Sequence, residues 1–487
     1  MEKLMICLVV GLLLSCVNLA ECKKKKPKPS LNIEYSARIC RKHIASLTEF
    51  GGVGDGKTSN TAAFKAAIAN LSKLASDGGA LLFVPNGTWL TGSFNLTSHF
   101  TLYIHKDAVL LASQEESDYP IIAALPSYGV GRDSKKGLGR YASLIMGTNL
   151  TDVVITGGNG TIDGHGQIWW DKFKKKQLKY TRPYLIEIMF SNHVQISNLT
   201  LTNSASWHLH PVYCMEVIIE HLTIIAPVEV PNTDGINPDS CTNTRIRDSY
   251  IVSGDDCIAV KSGWDEYGIK FGMPTLNLSI TRLTCISPDS AVIALGSEMS
   301  GGIQNVRAEN ITAINSQSGV RIKTAIGRGG FVKDIYVQNI DFDTIKYMFW
   351  MTGAYGSHPD SKYDPKALPN ITNINYRNVV AKNAKFVGDL SGIEGDPFTN
   401  ICISNVTAEM AAKKKKKSGG FEFEEKTKSS KLPWNCTNVS GRSSGVTPPA
   451  CPELPEIKGD CDYPKDTLAI DAVVLTTCSI PYVSSQK

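Results

Sequence analysis

The feature that most restricts the fold of this chain is an eight-residue pattern that recurs along its middle half. Residues 194–201 read Val-Gln-Ile-Ser-Asn-Leu-Thr-Leu, and similar segments follow at separations of 23, 27, 34, 28, 29, 39 and 27 residues. The copies begin at Val194, Val217, Thr244, Leu278, Val306, Ile335, Ile374 and Ile401. A period of this size is typical of a solenoid whose coils differ in loop length.

Within each copy, apolar β-branched residues alternate with polar residues, which indicates a strand with one buried face. We therefore predict an all-β fold, a right-handed parallel β-helix, over residues 45–410. The alternative, a β-sandwich, would require hairpin turns between neighbouring strands and would not produce a long period.

Both ends of such a solenoid need covers, because an open coil exposes core and strand edges. At the N-terminal end we predict a capping helix over residues 61–75, capped by Ser59 or Asn60. Its apolar residues share one face: Phe64, Ala67, Ile68, Leu71 and Leu74. Residues 411–487 contain a lysine run at 413–417 and several prolines, and we predict a loop-rich, cysteine-containing tail that caps or wraps the last coil.

The first 22 residues predict a secretory signal peptide, with a charged start, an apolar stretch at 4–17 and small residues before position 22. The apolar stretch is too short to span a bilayer. A buried N-terminal helix is the alternative, but residues 23–26 are all lysine, and residues 23–44 are predicted to be a basic linker. We therefore expect a protein that is secreted to the extracellular space or cell wall, with no membrane association after cleavage.

Cysteines and glycosylation sequons agree with a secretory route. Of 13 cysteines, ten lie beyond residue 22, and disulfides are expected especially among Cys436, Cys451, Cys461 and Cys478, with no connectivity predicted. Twelve Asn-x-Ser/Thr sequons are present, although a sequon does not show occupancy.

The net charge of +5 comes with no basic motif interleaved with aromatics, so nucleic acid is not an expected partner. A monomer is expected.

Five aspartates between residues 232 and 257 suggest a reactive site. Asp234 precedes Asp255 and Asp256 by 21 and 22 residues, close to one coil. Residues one coil apart in a parallel β-helix stack at about 5 Å, so the three carboxylates would share one surface. Such neighbours favour a protonated acid beside ionised groups that activate water, the division of labour in glycoside hydrolysis. Solvated turn aspartates or a Ca²⁺ site are the alternatives.

Two cations follow two coils later, at Arg321 and Lys323. Their spacing places both side chains on one face of a strand, while Ile322 points into the core. Paired cations on an outer face suit the carboxylate of an acidic sugar, although an exposed strand with ordinary positive charge would look similar.

The motifs Asn232-Thr233-Asp234-Gly235, Gly254-Asp255-Asp256 and Arg321-Ile322-Lys323, in this order, resemble those of the polygalacturonases of glycoside hydrolase family 28. The resemblance runs from about residue 47 through the tail and is strongest to plant members. It implies that Asp255 is the general acid and that Asp234 and Asp256 position and deprotonate water.

The same resemblance implies that Arg321 and Lys323 bind the galacturonate carboxylate of pectin, an acidic polysaccharide, and that Tyr355 contacts the substrate. It implies no metal and no cofactor. His208 and His210 lie one coil before Asp234 and are candidates for lining the groove, with His210 predicted to bind substrate. A structural histidine is the alternative for both.

One family feature is missing. The histidine of a Gly-His-Gly motif is expected near Ser290 or Ala291, and no histidine is present there. The sole Gly-His-Gly of the chain, at Gly164-His165-Gly166, is two or three coils away, and we interpret it as a turn.

Three functional hypotheses follow. The first is an inverting hydrolase of α-1,4-galacturonosyl linkages or of a related rhamnogalacturonan. The second is a lyase of similar fold that uses Ca²⁺ and a basic residue for β-elimination. The third is a catalytically weak or inactive pectin-binding β-helix. The sequence predicts neither internal nor end attack, and no methylation preference.

Overall fold

The structure is a computed structural model that describes residues 40–129, 139–412 and 432–476. The predicted signal peptide, most of the linker, the lysine run at 413–417 and Cys478 lie outside the described residues. Within them, no helix is both long and apolar enough to cross a bilayer.

Strands dominate the described residues, with bounds as follows: β1 His43–Ser46, β2 Ala80–Val84, β3 Gly87–Thr91, β4 Phe94–Asn95, β5 Phe100–Ile104, β6 Ala108–Ala112, β7 Ile121–Ile122, β8 Arg140–Tyr141, β9 Ile145–Thr148, β10 Thr151–Gly157, β11 Gly160–Asp163, β12 Ile186–Met189, β13 Asn192–Thr202, β14 Leu209–Val212, β15 Met215–Ile225, β16 Thr242–Val252, β17 Ile258–Val260, β18 Thr275–Ile286, β19 Ala291–Gly296, β20 Ile303–Lys323, β21 Phe331–Thr352, β22 Asn370–Ser391, β23 Phe398–Met410, β24 Trp434–Thr437 and β25 Val439–Thr447. The helices are short: α1 Thr61–Leu71, α2 Gln167–Lys174, α3 Asp265–Phe271, and 3₁₀ turns at Leu47–Phe50, Glu116–Asp118 and Ala469–Ala472.

The predicted right-handed parallel β-helix is confirmed. The first residues of the eight repeat copies pair with one another in unbroken register, from Val194 opposite Val217 to Ile374 opposite Ile401. All eight are buried, so the alternation read from the sequence faces one continuous core. Apart from the short pair β7–β8, the strand pairs of the described residues are parallel, which excludes a sandwich of hairpins.

Coil corners are made by single residues in the left-handed conformation. Eight of them stack in one column with φ between 50° and 56°: Asn198, His221, Asp248, Arg282, Asn310, Asn339, Asn378 and Asn405. Asparagine and aspartate tolerate this conformation better than most residues, which explains their recurrence at the fifth position of the repeat. Side-chain hydrogen bonds of 3.1–3.3 Å link the last four asparagines from coil to coil.

The N-terminal cap is the predicted helix, although it ends earlier than expected. Helix α1 spans Thr61–Leu71 and buries its apolar face, with Phe64 stacked on Phe94 at a ring-centroid distance of 4.5 Å. Asn60 is the N-cap residue, but its side chain makes no capping bond. Its amide instead bonds the backbone of Val53 and Leu90, which ties the helix to the first coils.

Toward the C-terminus, β24 and β25 pair with β22 and β23 and so extend the solenoid beyond residue 410, into the predicted tail. The rest of the described tail runs back along the outside of the coils. Arg245 donates to the carbonyl oxygen of Ile470 at 2.9 Å, and Arg307 donates to that of Asp466 at 2.7 Å.

Disulfides join Cys436 to Cys451, Cys402 to Cys461, and Cys257 to Cys285. The first of these is a pair within the predicted tail set, whereas Cys461 pairs with a solenoid cysteine.

Candidate active site

Backbone register brings Asp234, Asp255 and Asp256 together on one face of the solenoid. Ile236 pairs with Ile258 across neighbouring coils, and Asp234 and Asp256 each stand two residues before this pair. One oxygen of each carboxylate lies within 4.8 Å of an oxygen of the other two. The spacing of about one coil in the sequence therefore places the three acids as expected.

Asp256 is the most constrained of the three. Its Oδ2 accepts from Lys323 Nζ at 2.5 Å, and its Oδ1 accepts from Ser290 Oγ at 2.5 Å and from the Ala291 amide at 3.1 Å. Burial opposes the charged form, but the attraction and hydrogen bond of Lys323 outweigh it, and the pKa of Asp256 is lowered. Asp256 is therefore an ionised carboxylate.

Asp255 is half-buried and is fixed by backbone donors. Its Oδ2 accepts from the amide of Asn232 at 3.0 Å, and its Oδ1 accepts from the amide of Asp256 at the same distance. Because the other two acids are buried, Asp255 is the member of the cluster that is most accessible from the groove.

Asp234 is held through its backbone by His208. The carbonyl oxygen of Asp234 lies 2.9 Å from the His208 amide and 3.0 Å from ring Nδ1, while ring Nε2 accepts from the Ser204 amide at 3.4 Å. This pattern requires a neutral ring with its proton on Nδ1. Burial lowers the pKa of His208 to about 4, in agreement with that assignment.

The predicted cations lie beside the acids. Arg321 stacks on Trp350, with the guanidinium carbon 3.6 Å from the ring centroid, and no acceptor in the described part of the chain reaches its Nε. Burial lowers the pKa of Arg321, against the attraction of Asp256. The ring of Tyr355 lies 5.6 Å from Arg321 and 5.8 Å from Lys323, so all three side chains meet at one place.

His210 lies deeper than a substrate ligand would. It is fully buried, and its ring nitrogens lie 2.9 Å from Glu187 Oε1 and 3.3 Å from Asp239 Oδ2. Burial lowers its pKa, but the two carboxylates reverse the effect and raise it overall. Direct substrate binding by His210 stays a prediction that gains no support from this position.

Other residues of the site were not predicted as participants. Ser290, noted in the sequence as standing where a histidine is expected, is a hydrogen-bond donor to Asp256. Lys261 pairs with Glu298 at 2.8 Å and adds to the lowering of the Asp256 pKa. Its signal in the sequence is a lysine directly after the short strand that follows Asp256.

His165 is exposed and stands between β11 and α2 with a φ of 45°, so the Gly-His-Gly motif lies at a turn, as interpreted. The three aspartates are also the described residues that could hold a cation near the groove. The Lys323 ammonium already neutralises Asp256 there, and Ca²⁺ requires six to eight oxygen ligands. The donor set therefore fits an ion-paired acid cluster better than a calcium site.

Comparisons with known proteins agree with this geometry. The profile described as Glycosyl hydrolases family 28 matches residues 123–430. A probable polygalacturonase of Vitis vinifera is 62% identical over 476 residues, which cover 97% of this chain and 93% of that protein.

Among solved structures, an exopolygalacturonase from Thermotoga maritima matches with a TM-score of 0.68 and 27% identity, over 77% of this chain and 89% of that one. A polygalacturonase from Erwinia carotovora matches with a TM-score of 0.61 and 22% identity, over 84% and 100% respectively, which supports the fold. With its acid cluster, its cation pair and these matches, the chain belongs to glycosyl hydrolases family 28.

Proposed function

We propose that this protein is a polygalacturonase that hydrolyses α-1,4-galacturonosyl linkages of pectin. The observation that carries the proposal is the convergence of three carboxylates and two cations on one face of the solenoid. The extensive identity with a protein named a probable polygalacturonase supports the substrate class.

In the proposed reaction, the half-buried Asp255 donates a proton to the glycosidic oxygen as the bond breaks. Asp234 and Asp256 hold the attacking water and accept its proton. Asp256 is able to accept a proton because Lys323 keeps its carboxylate ionised. Asp255 and Asp256 share one coil and Asp234 comes from the coil before it, so the backbone register fixes the position of Asp234 relative to the other two.

Arg321 is the strongest candidate for binding the sugar carboxylate. Its guanidinium plane is fixed by Trp350, and a planar fork of donors matches a carboxylate. Lys323 already donates one hydrogen bond to Asp256, and it adds a second positive charge to the site. Tyr355 lies close enough to both cations to contact the same sugar.

We further infer that the protein is secreted to the cell wall and acts as a monomer without a cofactor. Three disulfides among the described residues support an oxidising compartment, and the first 22 residues support export. Detection of the mature N-terminus in extracellular fluid tests the first inference, and light scattering of the purified protein tests the second.

The activity is tested with demethylated polygalacturonate, the purified wild type and Asp255→Asn. We expect reducing ends from the wild type without the absorbance of unsaturated uronides, and a loss of about 10²–10⁴-fold in the variant. Asp341→Asn, at an exposed position on β21, is the matched control and should retain activity. Unsaturated products would support a lyase instead, and binding without turnover by wild type would support a binding protein.

A further inference from the structure

The groove floor can be followed across ten coils through one column of outward-facing residues. Strand pairing aligns Met146, Glu187, His210, Asn237, Ala259, Ala294, Arg321, Trp350, Asp389 and Asn435. The acid cluster stands beside the middle of this column, in the coils of Asn237 and Ala259. A polysaccharide that threads through the site would need accessible floor on both sides of it.

The two sides differ sharply in exposure. On the N-terminal side, Met146 is 5% exposed, and Glu187 and His210 are 0% exposed. On the C-terminal side, Ala294 is buried, Arg321, Trp350 and Asp389 are half-buried, and Asn435 is exposed. The floor is therefore covered before the acid cluster, whereas after the cluster it becomes accessible from Arg321 onward.

Residues 123–129 form most of this cover, together with Trp264. Tyr128 donates its hydroxyl hydrogen to Asp239 Oδ2 at 2.5 Å, although the two residues are 111 positions apart. Asp239 belongs to the same coil as Asp234 and pairs with Lys261, which follows Asp255 and Asp256 in the next coil, so Tyr128 reaches the floor in the coils that carry the acids.

Further contacts fix the cover in place. Ser127 Oγ lies 2.6 Å from the Tyr213 hydroxyl, and the Ser127 carbonyl oxygen accepts from the Trp264 amide at 2.9 Å. The apolar parts form a separate buried cluster over the floor: Leu125, Tyr128, Ala142, Met146, Met189, Val212, Tyr213 and Trp264. Opening this cover would break a buried hydrogen-bond network and expose a packed apolar cluster, so its free-energy cost is high.

A second layer lies over His210. Tyr184 and Trp207 stack with a centroid distance of 4.6 Å, and Trp207 meets the His210 ring edge-on at 4.9 Å. The imidazole is therefore sealed beneath aromatic rings, and sugar units have no path over this part of the floor.

We propose that the site is a one-sided pocket that receives the end of a galacturonan chain, so that cleavage proceeds from a chain end and releases a short product of one size. The inference rests on the proposed function, which supplies the substrate. It follows from the cover, because a chain interior cannot cross Tyr128 and Trp264 while its glycosidic bond lies at Asp255.

The test is the size of the earliest products from demethylated polygalacturonate, with solution viscosity recorded in parallel. We expect one short galacturonide from the first time points, a slow fall in viscosity, and equal rates on short and long chains at equal concentrations of chain ends. A ladder of oligomers with a rapid fall in viscosity would overturn end attack while leaving the hydrolase assignment intact. No reducing ends at all would instead overturn the proposed function, and this inference with it.

Two variants test whether the cover is the cause. Tyr128→Ala removes the side chain that fills the groove, and we expect longer oligomers among its first products. Tyr128→Phe keeps the ring and should keep the wild-type product size. A folded Tyr128→Ala enzyme that still releases only the short product would overturn the role of the cover, and should that variant not fold, the wild-type product pattern still decides the inference.

Discussion

Lys323 Nζ lies 2.5 Å from Asp256 Oδ2, although 67 residues separate the two in the chain. Both groups are buried, so each is the counter-ion that makes the other's charge tolerable. The pair joins the strand that carries Arg321 and Lys323 to the turn that carries the acids, and it links the protonation of the site to the stability of the solenoid.

Removal of this cation should shift the acidic limb of the pH–rate profile. In Lys323→Met, Asp256 is buried without its ion pair, so its pKa rises and the base is lost at a higher pH than in the wild type. We also expect about 3–5 kcal/mol of destabilisation, because the partner charge stays buried. Profiles of kcat against pH and thermal unfolding measure both, with Lys382→Met on the exposed face of β22 as the control. An unchanged acidic limb would contradict the role given to Lys323.

Ser290 should support catalysis in place of the absent family histidine. It donates a 2.5 Å hydrogen bond to Asp256, and loss of a bond to a charged group costs about 1.5–3 kcal/mol. Ser290→Ala is therefore expected to lower kcat about ten-fold or more, with little change in KM. Ser249→Ala removes a buried hydroxyl on β16 that donates to the Arg247 carbonyl oxygen and accepts from the Leu222 amide, and it serves as the control. If both variants keep the wild-type kcat, Ser290 does not tune the base.

Much of this site could be predicted from the sequence, because features that repeat once per coil can be recognised in it. The strand register follows from the repeat, and the register places Asp234 beside Asp256 and Arg321 in line with Lys323. Contacts made by loops have no period. Tyr128 reaches Asp239 across 111 residues, and Cys402 pairs with Cys461 across 59, through paths that no local pattern indicates. The sequence predicts that His210 lines the groove, but its position one coil before Asp234 does not indicate what covers the ring, which is buried.

His208 should make the fold less stable in acid. Its pKa is lowered to about 4 by burial, against about 6.5 in the unfolded chain, so between these values the unfolded state binds a proton that the folded state does not. Its contribution to stability is thus present above about pH 6.5 and is lost as pH falls toward 4, by about 2–3 kcal/mol.

The measurement is the change in Tm between pH 7 and pH 4.5 for wild type and His208→Asn. The variant should be less stable at neutral pH, because it loses the ring contact to Asp234, but its Tm should fall less on acidification. His210, whose pKa is raised between Glu187 and Asp239, acts in the opposite direction and is present in both proteins. An equal fall in Tm for the two proteins would show that His208 does not contribute to the acid sensitivity.

The stereochemical course should be inversion. The closest oxygens of the acids lie within 4.8 Å, shorter than the separation of about 6.5–9.5 Å usual for inverting glycosidases, so the distance alone does not indicate inversion. The argument comes from Asp256. Both of its oxygens are engaged, by Lys323 on one side and by Ser290 and Ala291 on the other. A carboxylate held in this way can orient a water, whereas attack on the anomeric carbon would require it to give up these bonds.

Proton NMR of the first product, recorded before mutarotation, distinguishes the two courses. Inversion at an α-linkage yields the β-anomer first, and the α-anomer then grows at the rate measured for free galacturonate under the same conditions. Initial release of the α-anomer would mean retention, and one of the three aspartates would then have to act as a nucleophile. Asp234 would be the candidate, because Asp256 is tied to Lys323 and Asp255 is needed as the acid.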